Sequence, residues 1–220
     1  LGRRAGDEGA LWASRAIDFW MLAMQGRGEA LRETLDIGAD DSAPSGSGAA
    51  FSAYFRMLAG DRETCASHFR RAARDDFGTL EPDHSWLWNL CACADVCSYL
   101  QDRERASVLY ERMAPYRHLN VINVLYSYRG SAAVPLGSLA LLMNRRDEGL
   151  ALLEEGIAFN ERIGARPSVV WGRTIYASAL ASGNAQERRR AAQCFDAIAR
   201  EAGSLEMLGL LERFEVKLVS

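Results

Sequence analysis

Three thiols and an imidazole lie within one short stretch: His84, Cys91, Cys93 and Cys97. Thiolates and imidazoles are the usual ligands of zinc. Their spacing matches no standard zinc site, and cysteines on a helix also serve as small apolar packing residues. The three histidines, His68, His84 and His118, accompany neither a Gly-x-Ser-x-Gly elbow nor a His-Glu-x-x-His pair. Acidic neighbours such as Asp75-Asp76 and Glu154-Glu155 read as solvated helix faces or terminal charges rather than acid/base couples. The run Arg188-Arg189-Arg190, which follows Glu187, reads as surface. Of the 26 basic residues, Lys217 is the only lysine, so neither a Walker phosphate loop nor Schiff-base chemistry is available. No catalytic residue, metal or cofactor is therefore expected.

The chain has 220 residues, 49% hydrophobic and 25% charged, which is folded-protein composition. A net charge of -3 lacks the electrostatic footprint of a general nucleic-acid binder. No apolar run approaches the ~20 residues that span a bilayer, and no secretory leader is seen. Five cysteines, an odd number, make no disulfide framework. A cytoplasmic location is expected, and the initial Leu suits a segment of a longer protein.

The elements that would position these residues are helices. Apolar residues recur at three and four positions over 86–100, 105–113, 136–143 and 150–158. Ten breakers, from Gly26 and Gly28 to Gly203, divide the chain into roughly eleven helices, and strand signals are sparse. A repeat lies beneath this pattern. Five residues after the start of each turn (Gly60-Asp61, Gln101-Asp102, Asn144-Arg145) comes a small residue: Cys65, Ala106 or Gly149. Four further on stand Phe69, Tyr110 and Leu153, and three beyond those Ala72, Met113 and Gly156. Seven residues before the turns stand Ala53, Ala94 and Gly137, all small. A fourth unit has Ala191, Phe195 and Ile198 at the same offsets, and the small positions fall 41, 43 and 42 residues apart. Offsets of four and seven share one helix face, and the small residues let paired helices approach closely.

This small-large-apolar signature resembles the tetratricopeptide repeat, with a period near 42 in place of the usual 34 residues. Asp75-Asp76-Phe77 with Asp83, Leu109-Tyr110-Glu111 with Pro115-Tyr116, Gly130-Ser131-Ala132-Ala133 with Leu136-Gly137, and the stretch from Asn160 to Pro167 carry the likeness further. Together they resemble the helical repeat region of large bacterial signalling ATPases, including MalT/LuxR-type activators and multidomain class III nucleotide cyclases. Pro135 departs from that pattern and would kink a helix interior.

The resulting expectation is an all-α fold, a right-handed α-solenoid with an elongated core. Residues 1–46 form a divergent helix pair, 47–203 the repeats and 204–220 a capping helix. The resemblance implies a non-catalytic scaffold that binds a protein or peptide partner, or a small effector, within a bacterial signal-transducing transcriptional regulator. Direct contact with nucleic acid or membrane is not expected of this segment. The alternative is the C-terminal part of a multidomain cyclase or ATPase whose catalytic domains precede Leu1. By the same analogy the first helices line a concave face, reached by Tyr54, Met57, Trp88, Asp95, Tyr99, Ser138 and Arg173. Long helix pairs bury many aromatics, so for any one of these residues core packing is favoured over ligand contact.

Overall fold

The computed structural model describes residues 17–38, 45–123, 127–207, 209 and 211. Among the described residues up to Ser204 it contains ten α-helices: α1 at residues 17–24, α2 (Gly28–Gly38), α3 (Gly46–Leu58), α4 (Arg62–Ala72), α5 (Trp86–Leu100), α6 (Arg103–Met113), α7 (Ala133–Leu142), α8 (Arg146–Arg162), α9 (Arg166–Ala181) and α10 (Ala185–Ser204). A hairpin of β1 (Asn120–Asn123) and β2 (Ser127–Ser131) separates α6 from α7.

The turns inside the pairs share one construction. Gly60, Gln101 and Asn144 take left-handed backbones, with φ of 73°, 62° and 63°. This conformation satisfies the last carbonyls of the preceding helix, and it suits Gly and Asn better than most residues. The next residue starts the second helix. Asp61 accepts a hydrogen bond from the Thr64 amide, and Asp102 accepts one from the Arg105 amide. In the last pair Asn184 and Glu187 form a reciprocal capping box.

The small positions lie where paired backbones meet. Ala53, Ala94, Cys65, Ala106 and Ala72 have no exposed surface. A Cβ on Gly137 would stand 2.9 Å from the Gly149 carbonyl oxygen, and one on Gly156 would stand 2.7 Å from Val134. Phe69, Leu153 and Ile198 fill the grooves beside them and are almost wholly buried. First helices also touch in succession, α3 on α5, α5 on α7 and α7 on α9, forming an inner layer backed by α4, α6, α8 and α10.

Three features differ from the sequence-based expectation. Asn120–Asn123 and Ser127–Ser131 pair as antiparallel strands instead of belonging to a helix or loop. Val121-Ile122 is a β-branched pair between asparagines, and Ser127–Ser131 has no helical period. Pro135 causes no kink, because α7 begins at Ala133 and the proline falls in the first turn, where an amide has no intrahelical partner. The core does not run between two separated ends: a Cβ on Gly209 would lie 2.8 Å from the Gln25 carbonyl, and Met207 and Leu211 are buried. The segment after α10 therefore packs against the α1–α2 turn. Most of the expected capping helix, and residues 1–16 and 39–44 of the expected N-terminal pair, lie outside the described residues.

Candidate functional site

The inner layer carries two adjoining cavities of unlike character. The larger, of about 580 Å³, opens where the C-terminal halves of the inner helices converge. Met57, Tyr99, Leu141, Leu142, Trp171 and Ile175 give it apolar walls. Asp95, Ser98, Ser138, Thr174 and Ser178 add polar groups, while Arg103 and Arg146 stand at the starts of α6 and α8. Positions 171, 174, 175 and 178 are spaced as one face of α9, and 95, 98 and 99 as one face of α5.

Most of the wall's polar groups already have partners. The hydroxyls of Ser138, Thr174 and Ser178 donate to the carbonyls of Val134, Val170 and Thr174, one turn earlier in their own helices. Arg146 donates to the Ala179 carbonyl and the Glu187 carboxylate, both at 3.0 Å. Three groups differ. The Ser98 Oγ is buried without a hydrogen-bond partner. The exposed side chains of Arg103 and Asn144 make no hydrogen bond or ion pair among the described residues.

The smaller cavity, of about 30 Å³, shares Asp95 and Trp171 with the larger. Arg129, on β2, dominates it. Its Nη2 donates to the Cys91 carbonyl at 2.9 Å and to the Asp95 carboxylate. The guanidinium lies 4.4 Å from the centre of the Tyr54 ring and 5.7 Å from that of Trp88. Gly130 makes this placement feasible: its φ is +107°, and a Cβ there would stand 2.8 Å from Ser168. Asn160 fixes the strand end by accepting from the Ser131 amide at 3.0 Å, while the Ser168 hydroxyl donates to the Arg129 carbonyl at 3.2 Å. Trp20 and Met24 of α1 and Met207 also line this cavity.

Burial governs the titration of these groups. It raises the Asp95 carboxyl above its ordinary range, against the pull of Arg129. It pushes the Tyr54 phenol up to about 12, again with Arg129 opposing. The thiols of Cys65, Cys91 and Cys97 are each pushed up to about 12 by burial, and Cys93 shifts in the same direction. His84 is exposed, away from these buried sulfurs. Among the described residues no group of three or more His, Cys, Asp or Glu side chains could hold a metal ion.

Of the residues expected to line the concave face, Met57, Asp95, Tyr99 and Ser138 line the larger cavity and Tyr54 the smaller. Two are placed elsewhere. Trp88 shares a face of α5 with Asp95 but sits two turns earlier, packed against Phe51 and Tyr54 with 2% of its surface exposed. It is a core residue. Arg173 is two positions from Trp171, hence on another side of α9, and its guanidinium pairs with Glu161 at 2.8 Å. Arg103, Ser98, Trp171 and Arg129 were not singled out by sequence. An arginine begins α4, α6 and α8 alike, as Arg62, Arg103 and Arg146, and that recurrence is the signal that could have found Arg103. No helix is long and apolar enough to cross a membrane among the described residues. No family model, curated protein or solved structure matches the chain.

Proposed function

We propose that the chain is a non-catalytic, effector-binding module of a larger signalling protein, built as a superhelix of tetratricopeptide-like helix pairs with a period near 42. The observation that carries this reading is the cavity of about 580 Å³ on the inner helices. Its size falls within the ~300–1,000 Å³ of small-molecule sites, and its apolar walls with a few polar groups suit an amphipathic organic ligand. The repeated small positions and the shared turn construction support the superhelical reading, since units of this kind bury their faces only by stacking.

A ligand bridging α5, α7 and α9 would change the packing of adjacent pairs. That gives the module a route for relaying occupancy to flanking domains, in keeping with a sensory role in a transcriptional regulator. The test is a fluorescence titration with the neutral amphiphile N-phenyl-1-naphthylamine. Saturable binding that is lost in Thr174→Trp, with helical content retained by circular dichroism, is the expected result. Equal binding to both proteins would remove the groove as the site.

A further inference from the structure

The arginines that open α4, α6 and α8 occupy equivalent places in three successive pairs, yet they are not equally engaged. Arg62 donates to the carbonyls of Tyr99 and Leu100, at the C-terminal end of the next inner helix, at 3.0 and 3.3 Å. Arg146 does the same for Ala179, at 3.0 Å, and holds Glu187 besides. Each of these two secures one pair to the next. Arg103 lines the cavity with its side chain unpartnered among the described residues. The serines show the same contrast. Ser138 and Ser178 donate to carbonyls of their own helices, whereas the buried Ser98 Oγ has no partner.

The groove thus has donors left over and its one anion already matched. Asp95, the carboxylate on its wall, is paired with Arg129. The exposed Arg103, with five guanidinium N–H bonds and no protein partner among the described residues, favours an acceptor bearing negative charge. Resting on the reading of this cavity as an effector site, we propose that its ligand is an amphipathic organic acid. Its anionic group is recognised by Arg103, and its apolar body lies against Met57, Leu141, Trp171 and Ile175.

The test compares two probes with the same aromatic body, N-phenyl-1-naphthylamine and its sulfonate, 8-anilinonaphthalene-1-sulfonate. Wild-type protein should bind the sulfonate more tightly. Arg103→Gln should weaken the sulfonate about tenfold while leaving the neutral probe unchanged, as expected for loss of one charge-assisted contact. Arg173→Gln, at a half-exposed arginine paired with Glu161 outside the groove, should alter neither. If Arg103→Gln leaves sulfonate binding unchanged, or weakens both probes equally, the acid is not recognised by Arg103 and the proposal is overturned, although neutral binding blocked by Thr174→Trp would still support the groove. If Thr174→Trp blocks neither probe, the groove reading itself fails and the proposal with it.

Discussion

The two cavities are built on the same inner helices and share Asp95 and Trp171, yet their charged groups are placed differently. Around Arg129, carboxylate, backbone carbonyl and two aromatic rings surround one buried guanidinium, whose Nη1, like the Asn160 Nδ2 nearby, has no hydrogen-bond partner. In the groove, Arg103 is exposed and has no protein partner among the described residues. The first arrangement clamps the hairpin to α5 and to the N-terminal turn of α9. The second leaves a cation for something outside the chain. One scaffold thus keeps a buried ion pair apart from an exposed cation.

The largest effect should come from the clamped side. Arg129→Met leaves Asp95 buried without its cation and should cost about 3–5 kcal/mol in urea unfolding. Adding Asp95→Leu should recover most of that loss, because the cost lies in the uncompensated charge. If the double variant is no more stable than the single one, the pair serves another purpose than mutual neutralisation.

Alkali should act on the buried interior, at the clamp through Cys91 and Tyr54 and at the turns through Cys65 and Cys97. The folded-state pKa values of Cys65, Cys91 and Cys97 lie near 12, above their ordinary value of 9.0. The stability they contribute is complete below pH 9 and declines as pH rises towards 12. Each thiol should cost up to about 1.4 kcal/mol per pH unit in that window, and Tyr54 should add to the loss above pH 10. Ellman's reagent at pH 8 should label Cys194, the partly exposed thiol, quickly and the four buried thiols only on unfolding. Rapid labelling of Cys91 in the folded protein would show that this interior is not sealed.

Gly137→Val probes the seam between inner and outer helices, where a Cβ already meets the Gly149 carbonyl at 2.9 Å. Overpacking should cost about 1–3 kcal/mol, read as a lower urea midpoint. The smallest effect belongs to the groove wall. Ser98→Ala should leave folding stability unchanged or slightly raised, since the hydroxyl has no partner to lose, and should leave 8-anilinonaphthalene-1-sulfonate binding unchanged, since the buried Oγ does not reach the groove. A stability loss as large as that of Gly137→Val would mean that Ser98 is structural.

The seams were legible in the sequence because close packing writes itself locally. Ala53, Ala94 and Gly137 stand seven residues before equivalent turns, and the turns carry Gly or a polar residue at the αL cap, followed in two of the three by an Asp that caps the next helix. The concave face was legible in outline through helical periodicity, which grouped Asp95 with Tyr99. Periodicity does not report depth along a helix, so Trp88 fell in the core, and an analogy of position misplaced Arg173 on α9. The Arg129–Asp95 pair was not legible at all. Its members are joined by a short hairpin whose register shifts between Val121 and Ile122, and a signal of four or five strand residues is too weak to stand out in a helical chain.

The central claim is that the inner-helix groove binds a small amphiphile. The most direct measurement is amide hydrogen exchange followed by mass spectrometry, with and without saturating N-phenyl-1-naphthylamine. Slowed exchange confined to residues 95–101, 138–144 and 171–182 is the predicted result. Protection at other segments, or none at saturation, would contradict it.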